Sequence, residues 1–242
     1  MTDTPVNGRR FPVPSRLQVI LTAALVAAVA GVGAATLIHK TSVNSATSAA
    51  TTRDDFMGLS SAQGSPAPDI SLADQSGHVV SLSGLEHQGK TVVLEFMDSH
   101  CNDICPIVSQ EFVVAHQQLG AAADKVAFVG VNVNPFHIAQ SDVASFSSEQ
   151  GLDRLPEWHF LTGPVTQLQD AWRKYGVAVQ APNPNVDVVH SDTIYFIDST
   201  GHQQWIAIPT EEHTASGVAY LPAPQVHQWG VDIASVIRQM LG

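Results

Sequence analysis

The chain has 242 residues, enough for one domain with attachments or two small domains and too few for a large multidomain machine. A composition of 44% hydrophobic and 14% charged residues excludes disorder throughout. Eleven basic against twenty-two acidic residues leave a net charge of −11, which excludes a nucleic-acid partner held through its phosphates.

The acidity is unevenly spread. Residues 1–40 carry Arg9, Arg10, Arg16 and Lys40 against Asp3, a local +3 that leaves −14 for the remainder. Leu17 to Ile38 is a run of 22 residues without a charge, and about 20 apolar residues in a helix cross a bilayer core. The run predicts a single transmembrane helix over 17–38. Three arginines precede it and one lysine follows, so the positive-inside rule puts residues 1–16 in the cytoplasm and everything after Lys40 outside. The expected location is therefore the cell membrane, single-pass, with an extracytoplasmic C-terminal domain. A cleaved signal peptide has an apolar region of only about 7–15 residues; the length here favours an anchor that stays, although Ser42 to Ala50 offers cleavage sites.

Residues 39–65 read as a flexible Ser/Thr/Ala linker. Seven of the twelve residues from Thr41 to Thr52 are Ser or Thr and none is charged, which leaves nothing to bury. Residues 66–242 suit a single core. Ile70–Ala73 and Val79–Leu82 about Asp74-Gln75-Ser76-Gly77 predict a β-hairpin that extends the domain at its N-terminal side. Thr91–Phe96 predicts a buried central strand, Ile107–Leu119 a helix capped by Gly120, and Val126–Val133 a second strand. Ser141–Gln150 and Pro164–Tyr175 predict helices, the latter stopped by Gly176. Thr193–Ile197 and Gln204–Ile208 flank Asp198-Ser199-Thr200-Gly201 as another hairpin. Ile233, Val236, Ile237, Met240 and Leu241 form the apolar stripe of a closing helix. No internal repeat is visible. The order is that of an α/β, thioredoxin-like fold.

Cys101-Asn102-Asp103-Ile104-Cys105 lies between the first central strand and its helix. Positions i and i+4 of a helical turn share a face about 6 Å apart, which suits either a disulfide or two thiolates on one metal. Helix N-termini also stabilise thiolates. The plain alternative is a pair of inert or structural cysteines. Two thiolates with one imidazole suit Cu(I) and admit Cu(II); Cys₂His with a water is also a zinc arrangement, and spacing does not separate the two. His190, ahead of the strand Thr193–Ile197, falls in the turn that faces the cysteine helix of such a fold. Among the other histidines, His100 is the rival ligand or thiol activator. Asp98, Asp103 and Asp192 read as solvated loop acids, and Trp158, Trp172, Trp205 and Trp229 as core or rim.

Glu95-Phe96-Met97-Asp98-Ser99-His100-Cys101-Asn102-Asp103-Ile104-Cys105-Pro106, followed some ninety residues later by Val189-His190-Ser191-Asp192-Thr193-Ile194-Tyr195-Phe196-Ile197-Asp198, resembles the Sco/SenC family of cytochrome c oxidase assembly proteins. The resemblance covers about residues 66–242. It departs at Asn102, where many members carry proline, and over Glu211–His227. It implies that Cys101, Cys105 and His190 bind copper. It also implies that the protein is a metallochaperone for the apo copper-site subunit of a respiratory oxidase, with other copper carriers as further partners. The alternative is an extracytoplasmic thiol:disulfide oxidoreductase using Cys101 and Cys105. On the first reading the protein is not a turnover enzyme; on the second it reduces disulfides. A peroxiredoxin would have Thr or Ser where this chain has Asp98.

Overall fold

Two apolar runs set the frame. In the computed structural model, which describes residues 53–242, β4 (Thr91–Met97) and β5 (Val126–Asn132) are buried at every position, as expected of parallel strands covered on both faces. They form the centre of a six-stranded sheet of order β1-β10-β9-β4-β5-β6. β4, β5 and β6 (Trp158–Leu161) run parallel; β9 (Ile194–Ile197), β10 (His202–Ala207) and β1 (Ser60–Pro66) continue the sheet antiparallel from the other side of β4.

Alternation along β4 decides which layer each residue supports. Val93 and Met97 face a core shared with α3 (Ile104–Leu119), α4 (Gln140–Glu149) and α6 (Ala223–Leu241), through Val108, Phe112, Phe146, Trp229 and Ile233. Val92, Leu94 and Phe96 face the opposite core, which is closed by α2 (Leu82–His87), α5 (Val165–Tyr175) and the hairpin of β2 (Ser71–Ala73) and β3 (Val79–Ser81). The strand, helix, strand, helix, hairpin, helix order is the thioredoxin-like one that the sequence predicts. At Gly230 the α3 and α6 backbones come so close that an added Cβ would lie 2.4 Å from Val114 Cγ1 and 2.9 Å from the Glu111 carbonyl oxygen.

The folded unit starts earlier than the expected boundary at Pro66. Arg53–Met57 forms α1, with Met57 fully buried, and β1 pairs with β10 across a bulge between Ser61 and Ser65. β1 is an edge strand of Ser, Gln and Gly with mostly exposed side chains; it is held by main-chain hydrogen bonds, which leave no hydrophobic period to read. The last part of the expected linker, residues 53–65, is therefore structured. The expected cytoplasmic segment, the transmembrane helix over 17–38 and residues 39–52 lie outside the described residues, and among the described residues no helix is long and apolar enough to cross a membrane.

Other boundaries move by less. α3 begins at Ile104, three residues before the expected start, so Cys105 lies in its first turn; Pro106 fits there because first-turn N–H groups have no intrahelical acceptor. Pro164 precedes α5 as its cap residue, and Gly176 ends that helix in the left-handed conformation at φ 68°. Trp158 and Trp229 are fully buried, Trp172 nearly so, and Trp205 is half-buried.

Candidate metal centre

The chain leaves the carboxyl end of β4 at Met97 and must turn within four residues to reach Cys101. Asp98 makes that turn. Its Oδ1 accepts from the His100 N–H at 2.8 Å, and its carbonyl accepts from the Cys101 N–H at 3.1 Å. Cys101 lies just outside α3, where first-turn N–H groups need acceptors. Its Sγ supplies one: the N–H groups of Asp103 and Cys105 both donate to it at 3.4 Å. Asp103, the cap residue by position, makes no side-chain cap bond.

The two thiols are unequal. The Cys105 thiol donates to the Cys101 sulfur, and with the two backbone N–H groups this holds the Cys101 thiol below its ordinary range, against burial and the nearby Asp98 charge. Cys105 is 2% exposed, and burial pushes its thiol well above the ordinary range, with the bond to Cys101 adding to the shift. Both cysteines are free thiols. Cys101 is therefore the more accessible and more readily ionised thiol, and Cys105 deprotonates only with a cation or disulfide partner to compensate.

His190 heads no long strand. It lies in β8 (Val189–His190), which pairs only with β7 (Val179–Gln180). This ribbon is extended by Ser191 N–H to the Ala178 carbonyl at 3.1 Å and Ala178 N–H to Ser191 Oγ at 3.1 Å. The imidazole is 4% exposed, and its Nδ1 lies 3.2 Å from both the Ser191 carbonyl oxygen and Asp192 Oδ1. The hydrogen bond goes to the carbonyl; Asp192 Oδ1 contributes charge and has no hydrogen-bond donor of its own. Because both neighbours can accept, Nδ1 is the nitrogen turned toward them, which leaves Nε2 as the one available to a metal.

Cys101 and His190 line one cavity of about 630 Å³, together with Asp98, Asp103, Asp192 and Glu211. Four carboxyls around one thiol favour a bound cation and oppose free thiolates. Two of the three acids read as solvated have structural work: Asp98 is 4% exposed and anchors the cysteine turn, and Asp192 orients His190. Beneath the cavity, the Glu95 carboxyl is raised well above its ordinary range by burial and then by Asp192 and Glu111, while the Thr193 N–H donates to it.

The sequence pattern brings Cys101, Cys105 and His190 to one place but not to ligand-to-ligand distance. Among the described residues, the trios whose donor atoms all lie within 4.8 Å of one another are His100–His137–Asp142 and Asp103–Glu211–His213. His100 stacks on His137 at 3.6 Å, on the other side of Cys101 from the His190 cavity. His137, Asp142, Glu211 and His213 carry no motif. The one available signal is that ligand-binding groups gather beyond the carboxyl ends of adjacent parallel strands, where the loops after β4 and β5 place His100 and His137.

A family model described as SCO1/SenC matches residues 61–219. A SCO1 protein homolog of Bacillus subtilis (strain 168) is 24% identical over 134 residues, covering 54% of this chain and 68% of the relative. The crystal structure of Arabidopsis thaliana ScoI with copper bound superposes with a TM-score of 0.57 at 21% identity, over 72% of this chain and 99% of that one. A BsSco structure, described for a disulfide switch in a member of the Sco family of cytochrome c oxidase assembly proteins, gives 0.51 at 19% identity, over 72% and 96%. At these identities the likeness to the solved structures concerns the fold.

Proposed function

Since the chain belongs to the SCO1/SenC family, we propose that it is a membrane-anchored copper-binding assembly factor that helps mature the copper centre of a respiratory cytochrome c oxidase. Copper is its cargo, held by Cys101, Cys105 and His190 and passed to the apo copper-site subunit. The observation that carries this reading is the donor set: a hydrogen-bonded thiol pair whose outer member, Cys101, lines a cavity shared with an imidazole whose Nδ1 faces two acceptors. Thiolates select Cu(I), and the imidazole lets the same site hold Cu(II).

Loading follows from the thiol asymmetry. Cys101 binds first, because its sulfur is already the better thiolate. The cation then lowers the cost of a buried Cys105 thiolate, whose proton leaves to solvent. The β7–β8 ribbon has to bring His190 Nε2 toward the sulfurs; it lies outside the central sheet and is held by two strand pairs, one main-chain bond and one side-chain bond. Anchoring is supported by the uncharged run Leu17–Ile38, and an extracytoplasmic domain by the three arginines before it against one lysine after it.

The second reading, thiol:disulfide exchange, is favoured by the same asymmetry: a lowered Cys101 thiol attacks a partner disulfide and Cys105 resolves the mixed disulfide. The distinguishing experiment is anaerobic loading of the full chain with one copper, followed by incubation with a reduced acceptor fragment from an oxidase copper-site subunit. Metal transfer without a mixed disulfide is the expected result. Failure to transfer, together with turnover of an oxidised acceptor that is indifferent to His190→Ala, would replace the chaperone reading with the second.

A further inference from the structure

We propose that His100, His137 and Asp142 form a second metal site, separate from the thiol pair, that takes a divalent transition-metal ion, Cu(II) foremost. None of its donors is a cysteine or His190, so it stands apart from the reading above.

The geometry is ready for an ion. One donor atom from each residue lies within 4.8 Å of the other two. Imidazole and carboxylate ligands sit about 2.0–2.2 Å from an ion of this size, so only small side-chain adjustments are needed to close the set. The two imidazoles are stacked with centroids 3.6 Å apart and planes inclined by 26°, and a ring nitrogen of one lies within 4.8 Å of a ring nitrogen of the other. His100 Nδ1 lies 3.3 Å from Ser99 Oγ, and Asp142 uses Oδ2 to accept the Ala139 N–H at 3.1 Å; each residue keeps a second donor atom.

What holds the trio together is a buried polar scaffold. Asp98 Oδ1 accepts both the His100 N–H at 2.8 Å and Asn134 Nδ2 at 2.9 Å. Asn134 Oδ1 accepts the His137 N–H at 3.2 Å, and Asn132 Nδ2 donates to the His137 carbonyl at 2.7 Å. Asp98, Asn132 and Asn134 are all at most 5% exposed. The loops after β4 and β5 are thus tied together through buried side chains, and they deliver the two imidazoles to one spot. Such pre-positioning of ligands by groups behind them is how metal sites are built.

The donor chemistry selects the ion. Two imidazoles and a carboxylate, with no sulfur, suit Cu(II), Ni(II) or Zn(II) over Cu(I), and Cu(II) is bound most tightly of the divalent series. The site opens onto a cavity of about 310 Å³ lined by His100, Cys101, Asp142 and Glu149. Cys101 lines this cavity and the His190 cavity alike, so the nitrogen site and the thiol site lie on either side of one residue.

The test uses the full chain carrying Cys101→Ser and Cys105→Ser, which silences the thiol site, titrated with aqueous Cu(II) and followed by electron paramagnetic resonance. One Cu(II) with nitrogen hyperfine coupling is expected, and its affinity should fall at least tenfold in His137→Ala and in Asp142→Asn. His213→Ala, in the other trio, should leave it unchanged. Circular dichroism verifies folding of each variant, with His137→Gln as the substitute should His137→Ala unfold. Unchanged binding in the His137 and Asp142 variants, or binding lost in His213→Ala, would overturn the proposal.

Discussion

Two histidine-bearing regions flank Cys101 and are built in opposite ways. On one side His100 and His137 hang from loops locked by Asp98, Asn132 and Asn134, all buried and mutually hydrogen-bonded. On the other, His190 sits on a ribbon of two-residue strands beside the exposed Val186 and Val189. The first region is pre-set and its donors already converge; the second keeps its imidazole oriented by Ser191 and Asp192 but has to move to meet the sulfurs. On the proposed function, a site that accepts and later releases a cation needs one yielding wall, and the ribbon, paired only within itself, is the wall proposed to yield.

The largest expected effect breaks the rigid side. Asp98→Ala removes an acceptor shared by the His100 N–H and Asn134 Nδ2; leaving such groups unpaired in the interior should cost about 2–4 kcal/mol in urea unfolding. Ser191→Ala removes one bond on the yielding side and should cost less than about 1 kcal/mol. Equal losses in the two variants would erase the contrast.

A smaller effect concerns Glu95, which lies behind the yielding side and accepts the Thr193 N–H. Its carboxyl is raised in the folded state, by burial above all and then by Asp192 and Glu111. The folded state therefore binds this proton more tightly than the unfolded state. The stabilisation is complete below the ordinary glutamate pKa and is lost as pH rises through the raised folded value. Glu95→Gln should flatten that decline in unfolding curves measured between pH 5 and 8. An unchanged pH slope would mean that Glu95 is not the titrating group.

Much of this was legible in residue order. The buried runs of β4 and β5, the Gly120 and Gly176 stops and the closing stripe of α6 each express a period or a cap. The cysteine pair stood out because there are only two. What escaped had physical reasons. β1 is polar and held by main-chain bonds. α3 starts early because the Cys101 sulfur accepts the N–H groups that a Ser or Asp side chain would normally take. His137 and Asp142 come to His100 through strand adjacency and a buried asparagine network, neither of which leaves a local pattern.

The central claim is that the thiol pair is completed by the histidine on the yielding side. X-ray absorption at the copper edge of the full chain, loaded anaerobically with one Cu(I), tests it most directly. Two sulfur ligands and one nitrogen are expected, with the nitrogen lost in His190→Ala and kept in His137→Ala. A nitrogen that survives His190→Ala, or disappears in His137→Ala, would contradict it.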